Sequence, residues 1–236
     1  LLSMAMDKNY IDRTDFDVLQ PAIDFYEDHG SATDKLRTYY YQGRIYQNAG
    51  NDAAAMESFV NSLDMGSESN DNLTKARILV AQSNIYYSLM KWEKVCDVNI
   101  EAANYYNELG RTNNYVYCLL RCIGGYIQSN NFDKAKDLLG KCYQYTENLP
   151  ELLISEIYSY HLLYSVAANN FESVPLIIGE YKNKVSEENI DYLTVAGAYA
   201  DIGAYDKAED MLVRINTKSL EDNNKTLKYY TTLIRR

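Results

Sequence analysis

Side chains able to carry acid–base or covalent chemistry are sparse in this chain, and none stands in a catalytic pattern. Four cysteines occur, at Cys96, Cys118, Cys122 and Cys142, beside two histidines, His29 and His161. Cys118 and Cys122 are four apart on one face of a predicted helix, where a disulfide within the helix is strained. As zinc ligands they would need histidine or acidic partners at a recognisable spacing, and neither histidine supplies one. All four therefore read as small buried apolar residues. His161 falls at a packing position rather than in a base motif. Acidic pairs such as Asp12 with Asp15 and Glu187 with Glu188 fall in turns and helix starts, where they cap helices and carry solvated charge. No glycine-rich phosphate loop, HExxH or nucleophile motif is present. The reading is a protein that is not an enzyme, with no metal and no cofactor.

What remains is the chemistry of recognition. The chain has 236 residues, with 23 Lys and Arg against 33 Asp and Glu, a formal charge of −10. That excess of acid argues against binding by broad neutralisation of nucleic-acid phosphates or anionic lipid. Tyrosine supplies 24 residues where Phe supplies 5 and Trp 1, so packing relies on rings with a polar tip. Three prolines and eleven glycines are too few for an all-β chain full of tight turns. No apolar run reaches the roughly 18 residues needed to span a bilayer, and no signal peptide is visible.

The elements that position these side chains recur with a period. Five segments share a small or polar turn, often an aromatic, and a small or β-branched residue three positions later. They run from Asn51-Asp52 to Ala55, Lys91-Trp92 to Val95, Asn131-Phe132 to Ala135, Asn170-Phe171 to Val174, and Ala204-Tyr205 to Ala208. The marker residue falls at 52, 92, 132, 171 and 205, spacings of 40, 40, 39 and 34. Six before it stand Tyr46, Tyr86, Tyr126, Ser165 and Tyr199; nine before it stand Gly43, Ser83, Ile123, Leu162 and Ala196. Seven after it stand Phe59, Asn99, Leu139, Ile178 and Leu212. Each unit holds a first helical stretch, at 39–48, 78–89, 117–129, 157–168 and 191–202, with apolar residues at helical spacing and no proline. A second stretch follows after two or three turn residues, as at 53–63, 93–108 and 133–146, and so short a connection forces the pair antiparallel. A small residue nine before the marker lets helix backbones approach, and the ring six before it fills the space between them. Gly50 and Gly203 suit a left-handed helix end, a part that Asn130 and Asn169 can also play.

On these residues the chain resembles the tetratricopeptide repeat (TPR) family, over nearly its whole length and in a longer variant of about 40 residues. The resemblance implies an all-α, right-handed superhelical solenoid of antiparallel helix pairs, a single domain over 1–236. Its parts are a half unit at 1–30, units at about 34–66, 73–110, 113–149, 151–186 and 189–219, and a terminal helix at 225–236. The half unit would pair a shortened helix at 1–8 with a second helix built on Phe16, Leu19, Ile23 and Tyr26. The fourth unit departs most: Leu162 and Ser165 replace the small residue and the ring, and Pro175 enters its second helix. That helix is expected to start late, with Ser173 as N-cap and Pro175 in the first turn. Tyr46, Tyr86, Tyr126 and Tyr199 are expected as core rings, and 66–72 and 110–114 as the loosest loops.

In TPR proteins the first helices line a concave groove that grips a peptide or partner helix. Mapped by phase, the groove candidates are Arg37, Tyr40, Arg44, Gln47, Arg77, Asn84 and Tyr87, followed by Tyr117, Leu120 and Gln128. Three arginines in an acidic protein reverse the sign locally, and guanidinium forks pair with carboxylates. The function so implied is a non-catalytic scaffold or sensory domain binding a protein or peptide, in particular an acidic one. In the competing reading the arginines pair with the chain's own Asp and Glu. Alternatives of other classes are a self-association module using surplus tyrosines such as Tyr105-Tyr106, giving a homo-oligomer, and an accessory domain of a glycan-uptake lipoprotein. The Tyr- and Asn-rich repeats also resemble TPR regions of bacterial cell-envelope signalling proteins, which favours a periplasmic or envelope site over the cytoplasm.

Overall fold

The computed structural model describes residues 14–17 and 19–215. Among them are eleven α-helices: α1 (Gln20–His29), α2 (Ala32–Asn48), α3 (Asp52–Met65), α4 (Asn72–Ser88), α5 (Trp92–Glu108), α6 (Thr112–Gln128), α7 (Phe132–Tyr143), α8 (Glu151–Ala167), α9 (Val174–Lys184), α10 (Tyr192–Asp201) and α11 (Tyr205–Val213). Single 3₁₀ turns at Thr146–Asn148, Phe171–Ser173 and Glu187–Asn189 complete them, and the described residues contain no strand. The helices expected at 1–8 and 225–236 lie outside the described residues. The chain divides into two compact units, Leu1–Cys118 and Leu119–Arg236, with the division falling inside α6.

The recurring phase appears directly in the backbone. The residue two before each marker is left-handed: Gly50 (φ 75°), Met90 (55°), Asn130 (56°), Asn169 (57°) and Gly203 (76°). At each, the next residue's N–H reaches back to the carbonyl six before the marker, as in Asn51 N to Tyr46 O (2.9 Å) and Lys91 N to Tyr86 O (2.8 Å). The same bond joins Asn131 to Tyr126 (2.8 Å), Asn170 to Ser165 (2.7 Å) and Ala204 to Tyr199 (2.9 Å). With the second bond, from the left-handed residue itself to the carbonyl three before it, this is the Schellman ending. A helix stopped this way turns at once, so the next helical turn starts two residues on, as an α-helix in four pairs and as the 3₁₀ turn Phe171–Ser173 ahead of α9 in the fourth.

In the first unit, α2 packs on α3 and α4 on α5, while α3 joins the pairs by lying on α4. The core comprises Leu36, Tyr40, Ala55, Phe59, Ile78, Ala81 and Ile85. Gly43 is small because of this core: a Cβ there would run into the Phe59 ring. Helix α1 opens with proline in its first turn and buries Leu19 and Ile23 against Ile45, with Phe16 alongside. The 66–72 connection is polar, as expected, but it is pinned. Ser69 is buried and shares a 2.8 Å hydrogen bond with Thr33, and Asp71 caps α4. The segment expected as a loop at 110–114 is already helical from Thr112.

In the second unit, α8 packs on α7, α9 and α10, and α10 pairs with α11. The residue three after each marker is fully buried in both units: Ala55, Val95, Ala135, Val174 and Ala208 are all 0% exposed. Helix α9 begins at Val174 with Pro175 in its first turn, which accommodates the proline as expected. Ser173 makes no side-chain cap, however, because its hydroxyl donates instead to the Asn170 carbonyl at 2.8 Å.

The fourth pair solves its missing ring by exchanging volumes. In the first pair, large Leu36 faces small Ser62, whose hydroxyl donates to the Leu36 carbonyl at 2.5 Å. At the same two phases the fourth pair has small Ser155 and large Tyr181, sharing a 2.5 Å hydrogen bond. Tyr181 is fully buried, stacks on Tyr158 with ring centroids 5.1 Å apart, and accepts the Asp191 N–H at 2.8 Å.

Candidate functional site

Arg37, Tyr40, Arg44 and Gln47 stand three and four apart along α2, which puts them on one face. The structure ties that face to α4 at two points. Arg37 Nε pairs with Asp71 Oδ2 at 2.7 Å, with side-chain exposures of 45% and 12%. Arg44 Nη1 donates to Gln47 Oε1 (2.8 Å), and Gln47 Nε2 donates to the Ala81 carbonyl (3.1 Å). Asp71 also accepts the Thr74 N–H (3.1 Å) and hydroxyl (2.9 Å), so one carboxylate caps α4 and holds Arg37. Its burial works to raise its pKa, but the Thr74 donors and the Arg37 guanidinium outweigh it and the net shift is downward.

The remaining candidates differ in exposure. Arg77 is half-buried, close enough to Tyr106 for its charge to offset part of the burial that raises that phenol to about 12. Asn84 is exposed, as is Tyr87, whose ring meets Trp92 edge-on at 5.2 Å. Tyr117 is half-buried. Tyr40 was expected to line a groove, but it is 5% exposed and sits between Tyr41 and Phe59 in the core. Leu120 is likewise buried in the second unit, where Gln128 is exposed. Asp71 was missed as part of this face, although an acidic residue three before Thr74 at a helix start is a readable N-cap signal.

The expected core rings divide. Tyr199 is buried, but Tyr46, Tyr86 and Tyr126 are half-buried. Tyr46 takes Phe16 edge-on at 4.9 Å, and Lys134 Nζ stands 5.3 Å over Tyr126, as Lys207 stands 5.7 Å over Tyr199.

None of the four cysteines forms a disulfide and all are buried, and burial pushes the Cys142 thiol up to about 12, away from the thiolate form that a nucleophile needs. His161 hydrogen-bonds through Nδ1 to the Tyr143 hydroxyl at 2.8 Å. Burial lowers its pKa, opposed in part by Glu180, and burial also raises that of Tyr143. The hydrogen bond and the edge-on contact of the two rings, 5.5 Å between centroids, join α7 to α8. Among the described residues no group of three or more His, Cys, Asp or Glu side chains is placed to hold a metal ion. No described helix is long and apolar enough to cross a membrane.

Comparison with known proteins bears on the fold. No protein-family profile matches the chain, and no curated protein matches it. Among solved structures it is similar to a Rap protein crystallised in complex with competence and sporulation factor, with a TM-score of 0.62 and 16% identity. The match covers 90% of this chain and 61% of that one, so the chain spans about three fifths of its neighbour's length. With the helix pairs and the recurring turn, this places the chain in the all-α class of TPR-like solenoids.

Proposed function

We propose that this chain is a non-catalytic binding module, and that the first-helix wall of its first unit holds a carboxylate-bearing segment of a protein or peptide. The observation that supports the reading is that Arg37 and Arg44 share one face of α2 while Arg77 stands on the neighbouring α4, which also carries the exposed Asn84 and Tyr87. The Rap structure supports the class of function, since that protein was crystallised with a bound factor. Arg37 also supports the competing reading, because it is paired within the chain. The pair engages Nε, however, and the guanidinium has further N–H groups for a second acceptor. Asp71 and Gln47 hold Arg37 and Arg44 in place beforehand, which lowers the entropy lost on binding.

The test is a titration with labelled peptides rich in Glu and Asp, against the same peptides carrying Gln and Asn. Acidic peptides should bind, more weakly as salt rises, and lose about ten-fold or more in affinity with an Arg37→Ala/Arg44→Ala/Arg77→Ala variant that keeps its helical circular dichroism. Undiminished binding by the folded variant, or equal binding of the amide peptides, would remove the arginine wall from the function.

A further inference from the structure

Elsewhere in the first unit, an open cavity of about 640 Å³ lies between α3 and the C-terminal end of α4. Its lining is dominated by apolar side chains, including Met56 and Val60 on α3 and Ile85, Tyr86 and Leu89 at the end of α4. Val60 and Leu89 are 44% and 56% exposed, so this apolar surface is accessible to a partner. Two features define what fits. Met56 and Val60 stand four apart on one helix, and Ile85 and Leu89 four apart on the end of the other. Ridges of that spacing leave a groove that accepts the matching ridge of a third helix. The α3 lining runs from Asp52 to Asn61, about 14 Å at the helical rise, or roughly two and a half turns of a docked helix.

The second feature is charge. Asp52 and Glu57 stand on the lining, which contains no Lys, Arg or His, and neither carboxylate makes an ion pair among the described residues. An apolar floor edged by two unneutralised carboxylates is complementary to apolar residues flanked by Lys or Arg, and it repels an acidic segment. We infer that the α3–α4 groove is a docking site for a basic amphipathic helix of a partner protein. It is separate from the arginine wall proposed above and selects the opposite charge, so either site can fail while the other stands.

The probe is a fluorescein-labelled amphipathic helix of leucine and lysine, compared with the same helix carrying glutamate for lysine. The lysine helix should bind saturably, and Val60→Gln/Leu89→Gln should weaken it by about ten-fold or more. Both positions are exposed, so that variant keeps the fold. Asp52→Asn/Glu57→Gln should weaken binding and flatten its salt dependence, while the Arg37→Ala/Arg44→Ala/Arg77→Ala variant should bind as wild type does. The inference is overturned if the lysine helix does not bind, if Val60→Gln/Leu89→Gln leaves its affinity unchanged, or if the glutamate helix binds equally. It is also overturned if light scattering shows a dimer of the 27.1 kDa chain that Val60→Gln/Leu89→Gln dissolves, since the groove would then be covered by a second copy.

Discussion

Met90 occupies a backbone conformation that its side chain disfavours. At φ 55° it does the work that Gly50 and Gly203 do in their own turns, and its side chain is 71% exposed, with little packing to repay the strain. A left-handed conformation costs a non-glycine residue about 1–2 kcal/mol, whereas glycine gives back roughly 0.5–1 in unfolded-state entropy. Met90→Gly should therefore stabilise the protein by about 0.5–1 kcal/mol, read as a rise in the urea midpoint at unchanged slope. An equal or lower midpoint would show that the side chain contributes more than its exposure implies. Gly43 is the opposite case. An added methyl would press on a Phe59 ring that is fully buried, and overpacking of this kind typically costs about 1–3 kcal/mol. Gly43→Ala should lose about that much less the helix-propensity gain of alanine, and a neutral outcome would mean that Phe59 has room to move. Both sites belong to the repeating signature, but only Gly43 announced itself, since its smallness has one local cause. Met90 carries no residue signal, because the hydrogen-bonded turn around it overrides its intrinsic preference.

Between elements, Tyr181 is the joint of the second unit. Its hydroxyl connects Ser155 on α8 with the backbone N–H of Asp191, the N-cap of α10, while its ring stacks on Tyr158. Tyr181→Phe would keep the ring and leave that N–H and the Ser155 hydroxyl without this partner, a loss of about 1–3 kcal/mol. Circular dichroism melts that leave the variant within about 0.5 kcal/mol of wild type would show that water replaces the hydroxyl. Nothing in the sequence marked Tyr181. Its importance comes from the exchange with Ser155 across two helices, which only the packing reveals, whereas Pro175 declared its own position by lacking an N–H.

Asp71 plays the corresponding part in the first unit, and its effect depends on pH. Its folded pKa lies below its ordinary value of 3.8, so its contribution is complete above that value and is lost as pH falls through the folded one. The stability gap between wild type and Asp71→Asn should accordingly be constant near neutrality and narrow below about pH 4. Urea midpoints collected down the acid range would decide it; a gap that stays constant there would mean that the carboxylate's charge is immaterial to the cap.

At the scale of the whole chain, repeats contact their neighbours and little else, so a lesion should be felt near its own position. The all-α class and the period were legible because each pair needs the same few things: a stop, a small residue and a buried contact three after the marker. The candidate wall was legible only in part, since phase predicts which side of a helix a residue takes but not how far the next helix covers it. Tyr40 illustrates this, being drawn into the core by Phe59 and Tyr41. Buried thiols supply reporters for locality, with Cys96 in the first compact unit and Cys142 in the second. Phe59→Ala removes a fully buried ring from the first unit and should cost about 3–5 kcal/mol there. If opening is local and fast to reclose, thiol labelling of Cys96 should accelerate about 100-fold or more, because the rate follows the open population. Cys142 should accelerate by less than about ten-fold. Mass spectrometry of the labelled peptides separates the two rates. Equal acceleration at both thiols would mean that the two units open as one cooperative body, and a nearest-neighbour description of this chain would then be wrong.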